Sequence, residues 1–166
     1  MRNNITKKLV KTAVIAAIYT ILTIILIPIS YGPIQFRISE ILVLLAFIDP
    51  FYIIGLTLGC LLANIFGGYG PMDMIFGTLA TFLSVTSIYL TGRYIKNRKI
   101  SIVIASLWPT IFNGLIIGWM LNIVAGLPMV LSMLQVALGE FVVVTLVGIP
   151  VYKLIENKYK DRLLLQ

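Results

Sequence analysis

This chain of 166 residues has no histidine and a single cysteine, Cys60. Without histidine, the commonest proton shuttle and metal ligand is missing. With one cysteine, no intrachain disulfide can form. Charge is scarce as well. Charged residues make up 11% of the chain, against about 25% in an ordinary soluble domain. That is too few to cover a water-facing surface. The phosphate-cradling pattern G-x-x-x-x-G-K-[ST] is absent, as are H-E-x-x-H and any Ser/His/Asp set. These gaps argue against an ATPase housed in this chain and against metallohydrolase or serine-hydrolase chemistry. Neither an internal repeat nor a repeated pore-lining motif of the kind channels use is evident.

What the chain has is apolar length. Hydrophobic residues reach 60% and mean hydropathy is +1.04. Apolar stretches recur along nearly the whole sequence, which indicates a polytopic membrane protein forming one domain, residues 1–166. The first stretch, Thr12 to Ile29, follows a basic start. It is longer than the roughly 7–15 apolar residues of a signal peptide and lacks a small-residue cleavage site, so we expect a retained helix.

Turn residues divide the rest. Pro28 and Ser30-Tyr31-Gly32-Pro33 end a first helix that starts near Lys8. A second run, Ile38 to Ile48, stops at Asp49-Pro50 and is short for a full crossing at about 1.5 Å per residue. Further helices are expected over Phe51–Phe66, Asp73–Tyr94, Ile100–Ile123 and Pro128–Ile155. The expected fold is therefore an all-α membrane bundle of six transmembrane helices.

The excess charge has a topological reading. Basic residues form three clusters: Arg2, Lys7, Lys8 and Lys11; Arg93, Lys96, Arg98 and Lys99; Lys153, Lys158, Lys160 and Arg162. Six crossings put all three on the cytoplasmic side, with both termini, as the positive-inside rule requires. Five crossings would split them. Lipid headgroups explain this charge better than nucleic acid does. The connections 28–37, 67–72 and 123–128 then face outward.

Ionisable groups at membrane depth cost several kcal/mol unless paired or hydrated, so each is a functional candidate. Here they converge. Arg37 and Glu40 flank the start of the second run, Asp73 opens the fourth helix, and Glu140 lies inside the sixth. Asn64, Asn113, Asn122 and Gln135 add amides. All fall in one outer layer, which suits a small polar solute. The bland alternatives are an Arg37–Glu40 pair one helical turn apart, an Asp73 helix cap, and interhelical hydrogen bonds from Asn64, Asn122 and Gln135. Glu140 has no basic neighbour in sequence. Trp108, Phe112 and Trp119 share a stripe, which packing explains better than ligand stacking. Small residues four apart, Ala13/Ala17, Gly55/Gly59 and Gly114/Gly118, permit close helix contact. For the glycines that contact is within the bundle, whereas Ala13/Ala17 suits a partner protein equally well. Cys60, in an apolar run, reads as packing.

Several motifs together resemble the QueT family, the queuosine-precursor substrate-binding (S) components of energy-coupling factor (ECF) transporters. They are Gln35-Phe36-Arg37-Ile38-Ser39-Glu40, the turn Gly67-Gly68-Tyr69-Gly70-Pro71-Met72-Asp73 leading into Gly77-Thr78-Leu79-Ala80-Thr81, Asn113-Gly114, and Leu138-Gly139-Glu140. The resemblance spans nearly the whole chain. It implies no enzymatic activity and no cofactor in this chain. The partners it implies are a membrane coupling subunit and two cytoplasmic ATPases in the cell membrane. It also implies docking through Ala13 and Ala17, although Ala16 leaves the face open, and a gating segment over Pro28–Phe36. Toppling of the protein in the membrane would carry the outer site inward.

The implied solute is a 7-deazaguanine, such as 7-aminomethyl-7-deazaguanine or queuine. Its guanine edge suits Glu140 and an ammonium suits Asp73 or Glu40. Asn113 and Gln35 would supply further hydrogen bonds, and Arg37 would orient Glu40. Three other readings stand beside this one: an S component for a vitamin, a non-transporting assembly subunit, and an intramembrane enzyme.

Overall fold

A computed structural model describes residues 2–32 and 34–163, with side chains described for 5–32 and 34–158. Met1, Pro33 and residues 164–166 lie outside it, as do the side chains of Arg2, Lys160 and Arg162 that belong to the basic clusters. Every regular element among the described residues is helical. Four helices are apolar and long enough to cross a membrane: Ile5–Ile25, Asp73–Tyr94, Arg98–Ala125 and Met129–Lys158. Two shorter apolar helices, Ile38–Phe47 and Phe51–Ile65, complete the set.

Helix α1, Arg2–Ile25, ends earlier than Pro28 suggested, and a separate turn α2, Ile27–Ser30, carries that proline at its start. Proline fits there because a first-turn residue has no intrahelical N–H partner to lose. The second run forms a 3-10 helix, Ile38–Phe47. It is buried on nearly every side, through Ser39, Glu40 and Val43 to Phe47. At about 2 Å per residue the 3-10 form stretches these residues to roughly 20 Å, where an α-helix would reach roughly 15 Å.

Helix α3, Phe51–Ile65, follows a turn in which Asp49 Oδ1 accepts the Phe51 N–H at 2.9 Å. Its Gly55 and Gly59 face α1: a methyl group on Gly55 would come within 2.7 Å of the Thr12 carbonyl, and on Gly59 within 2.9 Å of the Ala16 carbonyl. The glycine pair is thus the seam with α1. Ala16 is buried in it, whereas Ala13 and Ala17 are exposed.

The next rod begins as a wide π turn, Asp73–Gly77, and continues as α4, Thr78–Tyr94. Helix α5, Arg98–Ala125, starts at Asn97, whose side chain accepts from the N–H groups of Lys99 and Ile100. Its end is closed by Gly126 at φ 66°, a left-handed position that favours glycine. The last rod is α6, Met129–Glu140, then a π stretch, Phe141–Gly148, then α7, Ile149–Leu163. Gly114 and Gly118 of α5 pack on Ala137 and Met133 of α6. The outward faces carry Ile54, Leu58, Leu62, Leu115, Leu134 and Leu138, an apolar coat that suits lipid. Inside lie Tyr19, Leu44, Tyr52, Leu56 and Ile88, all at most 2% exposed.

Candidate functional site

The sequence-selected polar residues meet in the interior. Gln35, Arg37, Glu40, Asp73, Asn113 and Glu140 are each at most 3% exposed. They come from five places: the extended segment before the 3-10 helix, that helix itself, the π turn ahead of α4, α5, and the end of α6.

Local chemistry explains how each is held. Tyr19 of α1 and Thr81 of α4 both donate to Glu40 Oε1, Thr81 from 3.5 Å. Among the described residues, Glu40 Oε2 has no protein partner. Glu140 repeats the pattern: Asn113 Nδ2 donates to its Oε1 at 3.1 Å, and its Oε2 is free. Each glutamate therefore has one oxygen fixed by protein donors and one to offer. Both Asp73 carboxylate oxygens are unpartnered among the described residues, as are Arg37 Nε and Nη2 and Gln35 Nε2. Buried polar atoms left without a partner cost about 1–3 kcal/mol each, so such a concentration is a mark of a binding site.

Two expectations change here. Arg37 and Glu40 form no ion pair among the described residues. Arg37 instead reaches Cys60 Sγ at 3.8 Å and lies 5.0 Å above the Tyr31 ring. Asp73 makes no side-chain cap hydrogen bond, since its helix turn starts without one.

The glycine motifs now have reasons. A methyl group on Gly139 would come within 2.5 Å of the Gln35 carbonyl oxygen. Only glycine lets the Gln35 backbone rest on α6 beside Glu140. At Gly67 the added carbon would collide with the Asp73 carboxylate and approach Tyr31 Cε1 to 3.0 Å. Gly70, at φ 60°, turns the chain so that its carbonyl accepts the Met74 N–H at 3.2 Å.

Sequence reasoning missed Cys60, Tyr31 and Tyr19 as partners of this cluster, and read Asn64 as an interhelical hydrogen-bonder. Cys60 is not simple packing. It is fully buried and touches Arg37, Asn64, Thr81 and the Gly77 carbonyl. Asn64 donates to the Asp73 carbonyl at 3.1 Å and accepts from the Tyr31 hydroxyl at 3.3 Å. Tyr31 also donates to the Ala63 carbonyl at 2.8 Å, pinning the segment after α2 across the site. Burial pushes the Tyr31 phenol up to about 12 against the opposing pull of Arg37, so it stays a donor at neutral pH. Tyr19 carried no local sign at all: a tyrosine in an apolar helix reads as core, and only its partner 21 residues away gives it a role.

Other groups take the bland reading. Asn122 bonds the Leu127 carbonyl at 2.7 Å and secures a loop. Trp108 stacks on Phe112 and donates to Thr91 Oγ1 at 2.8 Å, and Trp119 meets Phe76 edge-on. Gln135 is half-buried on α6 and is not part of the cluster's hydrogen bonding. Clefts on the outer faces of α5 and α6, around Leu115 and Met133, contain no charged side chain and so offer little recognition.

A family model described as QueT transporter matches residues 9–157. The "Queuosine precursor transporter QueT" of Lactococcus lactis subsp. cremoris (strain MG1363) is 39% identical over 152 residues, covering 85% of this chain and 88% of that protein. No solved structure matches. The four long apolar helices, the buried polar cluster and a match over most of the chain agree, and the chain belongs to the QueT transporter family.

Proposed function

We propose that this protein is the solute-capturing membrane component of an ECF-type importer, and that its solute is a queuosine precursor of the 7-deazaguanine class. The observation that carries this reading is the paired geometry of Glu40 and Glu140, each with one oxygen held and one free. A guanine edge presents adjacent N–H donors. Glu140 Oε2, beside the Asn113 amide, suits that edge. Glu40 Oε2 and the open Asp73 carboxylate suit an aminomethyl ammonium. Arg37 and Gln35 have free donors for the ring carbonyl. The name of the Lactococcus relative supports a queuosine precursor as cargo.

The rest of the assembly follows from the same proposal. Six crossings with both termini cytoplasmic require the two shorter helices to count as crossings alongside the four long ones. The site then opens outward beneath the segment from Pro28 to Phe36, of which Pro33 lies outside the described residues. The exposed Ala13 and Ala17 on α1 are the docking face for the coupling subunit. Two cytoplasmic ATPases supply the hydrolysis that this chain has no P-loop to perform.

The test is binding of labelled 7-aminomethyl-7-deazaguanine to purified wild type and Glu140→Gln. Loss of a charge-assisted hydrogen bond should weaken binding by about tenfold or more. Unchanged affinity removes Glu140 from the site. A thermal-shift panel of deazaguanines and vitamins decides the solute class: stabilisation by a vitamin alone replaces the cargo, and no stabilisation by any small molecule favours an assembly subunit. Recovery of chemically altered ligand from the purified protein would point to an enzyme.

A further inference from the structure

A cleft of about 260 Å³ lies where the 3-10 helix, the start of α5 and α7 converge. Phe47, Ile102 and Tyr152 form its apolar part, and Arg98, Lys99, Lys153 and Glu156 its charged part. Arg98 opens one apolar span, and Lys153 and Glu156 fall in the last turns of another, Met129–Lys158. The cleft therefore sits at the depth of lipid headgroups.

Its charges are unbalanced in an ordered way. Arg98 pairs with Glu156, lies 5.4 Å over the Phe47 ring and reaches the Tyr152 hydroxyl at 3.4 Å. That neutralises Arg98 and fixes one wall. Lys99 and Lys153 are left, exposed and without an ion-pair partner among the described residues. A second observation points the same way. Helix α5 has 28 residues and no acidic residue in its first turn, yet it begins Arg98-Lys99. Cations at the positive end of a helix dipole are unfavourable, and an anion there relieves the conflict.

We propose that this cleft binds an anionic phospholipid, with the headgroup phosphate between Lys99 and Lys153 at the α5 N-terminus and an acyl chain along Phe47 and Ile102. The joined apolar and cationic halves fit an amphiphile better than a free anion. Pockets of this kind between membrane helices are a recurrent mode of anionic-lipid recognition.

The experiment measures lipid retention by native mass spectrometry, with the thermal midpoint as second readout. The protein is held in nanodiscs of phosphatidylcholine with or without phosphatidylglycerol. Wild type should retain phosphatidylglycerol preferentially and unfold at a higher temperature in its presence. Lys99→Ala with Lys153→Ala should weaken that retention about thirtyfold, at roughly tenfold or less per lysine. Lys7→Ala with Lys96→Ala removes the same charge outside the cleft and should leave retention unchanged. Equal losses in both double variants, or no loss in either, overturn the proposal. Inorganic phosphate matching the stabilisation by phosphatidylglycerol would assign the cleft to a free anion and overturn the lipid. If the double variant does not fold, the two single variants carry the same comparison.

Discussion

At the scale of single residues, two carboxylates of the candidate site, Glu40 and Glu140, are aimed by their neighbours. Tyr19 is the clearest case, since its hydroxyl and Thr81 share one oxygen of Glu40 and leave the other exposed to the interior. Tyr19→Phe keeps the ring in its fully buried place and removes that donor. Solute affinity should fall by about tenfold, measured by isothermal titration, while the unfolding midpoint shifts little. An unchanged affinity would mean that Glu40 is not oriented through Tyr19. The carboxylates themselves were legible from sequence, because an acid inside an apolar run is costly enough to advertise itself. Their partners were not. Tyr19, Cys60 and Thr81 are ordinary residues for a membrane helix, and what distinguishes them is proximity across 21 or more positions. Arg37 shows the converse failure: one-turn spacing from Glu40 suggested a pair, but the 3-10 path and the Tyr31 ring draw the guanidinium elsewhere.

At the scale of elements, close backbone approach does the positioning. The Gln35 main chain rests on Gly139, one residue from Glu140. Gly139→Val should push that segment off α6 and abolish detectable solute binding while the protein still folds, as read by size-exclusion profile and circular dichroism. Gly59→Leu acts on the seam between α1 and α3, where a methyl group would already meet Ala16 and Tyr19 at 2.9 Å. Overpacking of this kind costs about 1–3 kcal/mol, and a lowered thermal midpoint would register it. The long helices were legible because hydropathy over some twenty residues leaves few alternatives. Two features were not. The 3-10 form of Ile38–Phe47 depends on burial all round, which hydropathy registers without specifying pitch. The two π stretches begin at Asp73 and directly after Glu140, and widened turns of this kind cluster at functional sites. Backbone hydrogen bonding of that sort leaves no compositional trace.

At the scale of the whole molecule, the candidate solute site is buried. None of Gln35, Arg37, Glu40, Asp73, Asn113 and Glu140 is more than 3% exposed, so under the proposed function a solute reaches them only when the bundle opens. Cys60, the only cysteine, lies in that interior and serves as a built-in reporter. Maleimide labelling of Cys60 in the native protein should be slow, and saturating solute should slow it further by several-fold. Labelling at an unchanged rate with solute bound would separate Cys60 from the candidate site.

The short helices have a consequence for the bilayer as well. Helix α3 turns Ile54, Leu58, Leu62 and Ile65 outward, yet its 15 residues span only about 22 Å of a hydrocarbon layer about 30 Å thick. Helix α5, with 28 residues, reaches about 42 Å. In the proposed six-crossing topology, the α3 flank is thinner than the membrane and the α5 flank taller, which makes a wedge in a slab. Lipids must compress along the thin flank, and the tall one relieves its surplus by leaning. Thicker membranes raise the cost on the α3 side while thinner ones deepen the lean, which makes acyl-chain length a mechanical setting on how upright the molecule stands.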